Sequence, residues 1–479
     1  MGTGDHVKQG GREGADVAFD VVVIGSGPAG HAAAVTAARA KKRVLVVEES
    51  RTVGGACVER GTIPSKTLRE TAVAFASFKR RTGGVLDVAF DEGTRLTSLM
   101  TRLGEVLEGH HQVRGHQLER DGVTVMHGRA AFASPHELEV RGVGGRCERV
   151  STDRVVIATG SVPRAPGGVP IDHENVFDSD SLLSIPYLPE TLIVIGAGVI
   201  AAEYASIFAA LGVRVTMIDK APRPLAWCDP EIVEVFLRAF EATGSRLIGG
   251  VSVANVAWDG VSSVEVTLEG GETLRAEKAV YAMGRVANLR GLKLDLVGLA
   301  PNARGLLEVD EDFRTRVPHV LAVGDVIGPP SLASTSAEQG RRAMAAALGA
   351  TLGPAAARIP AAVYTIPELA TVGMTEADAQ AKLGGATVGR ADFRELSRGR
   401  IAGVEHGLIK LVAGPDGRRL VGAQIVGEGA SELVHVGQMA LAGGLEVDAF
   451  VDHVFNFPTL AEGYRVAALD LIAARERRS

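Results

Sequence analysis

The sequence predicts an α/β protein with two parallel-sheet domains of the same plan, followed by a smaller α+β segment. Three observations predict it. A strand–glycine turn–helix–strand pattern occurs near the N-terminus, the same pattern recurs about 170 residues later, and the last quarter of the chain carries alternating runs and helical stretches.

The first copy, FDVVVIGSGPAGHAAAVTAARAKKRVLVVEES, opens with a β-branched run from Val21 to Ile24. Gly25, Gly27 and Gly30 follow, then an alanine-rich helix and a second apolar run ending at Glu48. The second copy, LIVIGAGVIAAEYASIFAALGVRVTMIDK, places Gly196, Gly198 and Ala201 in the same frame and ends at Asp219. In this pattern the first glycine permits the tight turn, the second lets the backbone approach a pyrophosphate, and the small third residue lets helix and strand pack closely. The helix N-terminus offers amides and a positive dipole end to phosphate, and the terminal acid accepts from a ribose diol. The recurrence of the whole context predicts two Rossmann-like domains and two bound dinucleotides, most simply a resident flavin and an exchanging nicotinamide dinucleotide.

The last segment is read more lightly. GLIKLVAG and DGRRLVGAQIVG read as two alternating strands joined by a Gly/Asp turn, and EGASELVHVGQMALAGG reads as a helix. An antiparallel sheet with helices follows.

Bulk properties narrow the function. The chain has 479 residues and a net charge of −6, which gives no electrostatic reason to expect nucleic acid or an anionic membrane surface. Three widely spaced cysteines, Cys57, Cys147 and Cys228, form neither a disulfide framework nor a zinc site, so a cytoplasmic protein without a metal is expected. The apolar run Thr191 to Val213 contains Glu203 and a glycine turn, against a membrane span. The first 16 residues read as a disordered tail.

Further segments select a family. GGACVERGTIPSK (Gly54 to Lys66), VVIATGSVP (Val155 to Pro163), YAMGRVAN (Tyr281 to Asn288), VLAVGDVIG (Val320 to Gly328) and FNFPTLAEGYRVA (Phe455 to Ala467) occur in the order found in the pyridine nucleotide-disulfide oxidoreductases, which the chain resembles from about Val17 to Leu471. Within that family, a cysteine followed five residues later by threonine and then IPSK resembles the soluble, Si-specific NAD(P) transhydrogenases of bacteria.

The resemblance implies a discontinuous FAD domain, 17–163 and 287–356, an NAD(P) domain, 164–286, and an interface domain, 357–479. It implies a homodimer and leaves larger homo-oligomers open. It places Gly25, Gly27, Gly30, Glu48, Glu49, Arg51, Gly54, Gly55, Cys57, Thr62, Lys66, Ala130, Thr159, Gly160, Asp325 and Ala333 at FAD. Gly196, Gly198, Ala201, Glu203, Asp219, Lys220, Arg223 and Gly284 fall at NAD(P). Lys66, paired with Glu203, is the implied catalytic couple, and the helix expected to begin near Ala333 turns its dipole toward the flavin.

Two departures change the chemistry that is expected. Thr62 stands where the family's flavin-proximal cysteine stands, and a hydroxyl cannot take part in thiol–disulfide exchange. Phe457 stands where the family has a histidine before proline, and phenylalanine moves no proton; Glu462 remains, and His453 reads as an ordinary surface or interface histidine. The sequence therefore predicts reversible hydride transfer between NADPH and NAD+ through FAD, in a ping-pong cycle without a redox disulfide. An NAD(P)H dehydrogenase (diaphorase) reducing a quinone is the alternative. Cys57 reads either as a small buried hydrophobe or as a partner of Cys147 or Cys228 in a relocated couple. Asp219 favours NAD(H) by repelling a 2′-phosphate, whereas Lys220 and Arg223 offset that repulsion.

Overall fold

The computed structural model describes residues 17–82, 92–142, 144–165, 167–354 and 358–477; the expected N-terminal tail and the expected junction at 356/357 lie outside them. Two compact units result. The first comprises 17–58, 109–162 and 286–352, and the second 59–108, 163–285 and 353–477.

In the first unit the β-branched run becomes the strand Val17–Ile24, at the centre of a parallel sheet. The order across the sheet is Thr124–Ser134, Val44–Glu48, Val17–Ile24, Cys147–Ile157 and Val320–Ala322. Glu137–Gly142 pairs antiparallel with both Thr124–Ser134 and Cys147–Ile157. Valine dominates the centre because both faces are covered, as parallel sheets require. Val21, Val23, Val44, Val46 and Val156 join one core with helix Pro28–Arg39. Val22, Ile24, Leu45, Val47, Val155 and Ile157 join the other, with Phe132 and Leu138. Helix Ala333–Ala347 lies so close to the first helix that a Cβ on Gly340 would stand 2.0 Å from the Ala29 carbonyl oxygen.

The second unit repeats the parallel plan, in the order Arg246–Gly249, Arg214–Asp219, Thr191–Ile195, Lys278–Tyr281 and Val176–Asp178. The helix Val199–Ala210 is buried along most of its length, which explains an apolar run of nearly membrane-spanning extent. Among the described residues no helix is long and apolar enough to cross a membrane. The same unit holds an antiparallel sheet in the order Ala361–Val363, Leu369–Gly373, Leu420–Val426, Leu408–Ala413 and Thr387–Asp392. Helices Ala430–Ala442 and Gly463–Glu476 pack on it.

One expectation there needs correction. Leu408–Ala413 and Leu420–Val426 were expected to alternate between core and solvent, yet every residue in both is buried. Lys410, the residue that suggests a wet face, is 2% exposed. Its ammonium meets Asp229 at 3.0 Å, Glu231 at 2.9 Å and Glu376 at 2.7 Å, and these three carboxylates outweigh its desolvation and raise its pKa. Gln424 is likewise buried, donating to the Met374 carbonyl at 3.0 Å.

Candidate functional site

Each glycine turn forms a cradle whose shape follows from local sterics. Gly25 has φ +101°, and a Cβ there would stand 2.4 Å from the Ala158 carbonyl oxygen; Gly196 has φ +118°, with the Ala282 oxygen at 2.6 Å. Both positions demand glycine twice over, by conformation and by contact. The third position differs: a Cβ on Gly30 would lie 1.9 Å from the Gly25 carbonyl oxygen, whereas Ala201 fits its site fully buried.

Gly27 and Gly198 behave otherwise. A Cβ on either would meet nothing within 4 Å, so the protein leaves that space open. Each is the N-cap of the following helix, in extended conformation, and no side chain caps either helix. An uncapped N-terminus beside a glycine with vacant space fits a pyrophosphate.

The two terminal acids close their own turns in the same way. Glu48 accepts from the Ser26 amide at 2.8 Å with one oxygen and from the Ser50 amide at 2.9 Å with the other. Asp219 accepts from Ala197 at 2.8 Å and Ala221 at 2.7 Å. In both, the donors are the residue after the first glycine and the second residue after the acid. A carboxylate offers about four acceptor positions; Asp219 keeps about two of them for a ribose diol, and Glu48, which also accepts from Ser26 Oγ, keeps about one.

Around the first cradle, Gly54 and Gly55 adopt positive φ, and a Cβ on Gly55 would come 2.8 Å from the Gly27 Cα. Thr159 Oγ1 is shut off from solvent without a hydrogen-bond partner, and Gly160 beside it has φ +68° and open space. Asp325 accepts from Ser161 Oγ at 2.6 Å. Helix Ala333–Ala347 begins at the expected residue, with no side-chain cap over its amides. Glu49 is exposed and paired with Arg129, Arg51 is exposed, and Ala130 is buried in its strand opposite Val140. The orphaned hydroxyl, the vacant glycine positions and the uncapped helices fit a dinucleotide such as FAD.

In the second unit, Lys66 on helix Thr62–Thr82 meets Glu203 on helix Val199–Ala210 at 2.7 Å, with 24% and 6% of the side chains exposed. The other Glu203 oxygen accepts from the Tyr364 amide at 2.9 Å, and the Lys66 ammonium lies 4.7 Å from the Tyr364 ring centroid. Three groups therefore hold one another. Arg69, one turn further along the same helix, bonds Glu368 at 2.8 Å and the Thr365 carbonyl at 3.0 Å, fixing the segment that carries Tyr364. Lys220 is exposed; Arg223 bonds the Ala226 carbonyl at 3.4 Å while its Nε stays buried without a partner. Gly284 has φ +100°.

The sulfur positions do not form a visible couple. Cys57 is half-buried on the short helix Gly55–Glu59, Cys147 is exposed and Cys228 is buried, all as free thiols. Burial pushes the Cys228 thiol up to about 12, which keeps it protonated and unreactive. Phe457 is exposed, and His453, also exposed, shares a hydrogen bond with the Ala449 carbonyl of its own short helix.

Tyr364, Arg69, Ser26 and His31 escape sequence reasoning. The first two lie about 300 residues apart in the chain, and no periodicity connects them. His31 stands inside the fingerprint itself; burial lowers its basicity, and Nε2 shares a hydrogen bond with Gln117 at 2.9 Å.

Comparison with known proteins identifies the family. The model of the pyridine nucleotide-disulphide oxidoreductases matches residues 19–340, and that family's dimerisation domain matches 359–468. A soluble pyridine nucleotide transhydrogenase of Mycobacterium bovis is 40% identical over 460 residues, 95% of this chain and 97% of the relative. One from Hahella chejuensis is 39% identical over 459 residues, 95% and 98%. Among solved structures, LpdA of Mycobacterium tuberculosis superposes with a TM-score of 0.86 at 29% identity, covering 95% of this chain and 99% of its own. The HOCl-induced flavoprotein disulfide reductase RclA of Escherichia coli gives 0.85 at 27%, covering 94% and 99%.

Proposed function

The chain belongs to the pyridine nucleotide-disulphide oxidoreductases, and on that premise we propose that it is a flavoprotein NAD(P) transhydrogenase, moving hydride reversibly between NADPH and NAD+ in a ping-pong cycle. One observation carries the reading: a chain that keeps both dinucleotide cradles has Thr62 in place of a sulfur and Phe457 in place of a proton shuttle. The names of its relatives support the same activity.

Bound FAD supplies the two-electron store between the two nicotinamides. The chain's own groups do the rest. The amides at Gly27 and Gly198 hold pyrophosphates, Glu48 and Asp219 accept from ribose diols, and Thr159, Asp325 and the helix beginning at Ala333 serve the flavin. Glu203 and the Tyr364 ring confine the Lys66 ammonium, and a fixed cation favours the electron-rich reduced flavin. Lys220 and Arg223 take a 2′-phosphate when NADP(H) occupies the second cradle, and Asp219 serves NAD(H). No proton donor is required, since hydride arrives and leaves without net protonation.

We assign 164–286 to NAD(P) and the portion from 357 onward to subunit contact. The match to a dimerisation domain and the exposed Val454 and Phe457 support a homodimer. We place the protein in the cytoplasm, in keeping with its free thiols.

The test is spectroscopic. NADPH should bleach the flavin absorbance of the purified protein and NAD+ should restore it, with NADPH-to-thio-NAD+ turnover well above NADPH-to-quinone turnover. Faster quinone reduction would make the protein a diaphorase, and reduction of glutathione or lipoamide at enzyme-like rates would make it a disulfide reductase.

A further inference from the structure

The two cradles share turn, helix and a terminal acid, and among the positions where they differ, Ser26 in the first is Ala197 in the second. Ser26 is 1% exposed, and its hydroxyl both donates and accepts. Oγ donates to Glu48 Oε2 at 2.5 Å and accepts the Gly54 amide at 2.9 Å. The Ser26 amide also donates to that same Glu48 oxygen, at 2.8 Å. One hydroxyl thus links the ribose acid, the phosphate turn and the Gly54–Gly55 loop.

The loop has no slack. Gly54 and Gly55 have φ +126° and +61°, and Gly55 packs against the Gly27 Cα, the residue that caps the phosphate-binding helix. In the second cradle Ala197 spends its carbonyl on the Leu225 amide at 3.0 Å, and its side chain has nothing with which to fasten a loop.

Resting on the assignment of FAD to the first cradle, we propose that the Ser26 hydroxyl is a positioning residue that makes the first cradle retain its dinucleotide while the second, built without it, releases one. Removing the hydroxyl leaves Glu48 with its two amide donors, so the turn itself survives. It leaves the buried Gly54 amide without an acceptor, a costly state for a polar group held out of water. The loop then has to rearrange or take up water, and the cradle loses the wall that closes over the dinucleotide. The second cradle makes no use of Ser26 and serves as the control within the same molecule.

The experiment uses apoprotein stripped of flavin and titrated with FAD, in wild type, Ser26→Ala and Ser26→Thr. Amide hydrogen exchange is followed in parallel, and NAD+ affinity is measured on each reconstituted protein. The expected result is a rise of about 10-fold or more in the FAD dissociation constant of Ser26→Ala, with FAD affinity regained in Ser26→Thr. NAD+ affinity should not change, and faster exchange should be confined to Val53–Cys57. Equal FAD affinity in Ser26→Ala overturns the proposal. So does loss of protection across the whole first unit, because the hydroxyl would then support the fold and not the cradle. Failure of wild-type apoprotein to bind FAD would instead overturn the transhydrogenase reading.

Discussion

The pairing of Lys66 with Glu203 can be tested by a double-mutant cycle. Lys66→Met removes the cation and leaves Glu203, 6% exposed, facing one remaining donor, the Tyr364 amide. Breaking a fully buried ion pair costs about 3–5 kcal/mol. Here the lysine is 24% exposed and the amide persists, so water and one hydrogen bond recover part of that loss. The expected destabilisation is about 2–3 kcal/mol. Glu203→Leu removes the charge and strands both the ammonium and the Tyr364 amide, for a similar loss. The double variant has no stranded charge and should lose less than the sum of the two, with a coupling of about 1–3 kcal/mol. Urea unfolding of the flavin-saturated proteins measures the cycle, and the flavin midpoint potential, which should fall in Lys66→Met, reads the functional arm. Strictly additive losses together with an unmoved potential would refute the account, because the two groups would then be neighbours without energetic linkage.

Two other outcomes follow. Cys57→Ser should keep transhydrogenase turnover within about threefold of wild type, in line with a packing role for an isolated cysteine, and loss of turnover with flavin still bound would mean that its sulfur carries electrons. The pH dependence of stability should carry a signature of Cys228: because its folded pKa is raised to about 12, the contribution is complete below the unfolded value near 9 and is lost as pH rises toward 12. Cys228→Ala should therefore show a flatter decline in unfolding free energy across that alkaline window, and an unchanged slope would contradict the buried, protonated thiol.

How much of this was legible in sequence depends on the range of the force concerned. The glycine turns were legible because their requirements are local: a positive φ at Gly25 and Gly196 and a carbonyl pressed against each are consequences of a strand turning sharply into a helix. The roles of Glu48 and Asp219 were half legible. Their spacing marked them as ribose acceptors, but closure of their own turns by two amides appears only in three dimensions. Lys66 and Glu203 lie 137 residues apart, and nothing in residue type or periodicity joins them; the family resemblance did. The alternating reading of GLIKLVAG failed because a lysine on a strand ordinarily faces solvent, whereas Lys410 faces three carboxylates converging from other elements. Ser26 carried no signal, since the position between the first two glycines accepts any small residue until a loop docks on it.

The matching closure of both acids has a consequence for binding. Each turn is latched by its own peptide groups, so the nucleotide does not have to supply the contacts that hold the turn, and less ordering is charged to its binding. A shape held by the chain's own bonds survives each change of occupant, so successive nucleotides meet the same turn.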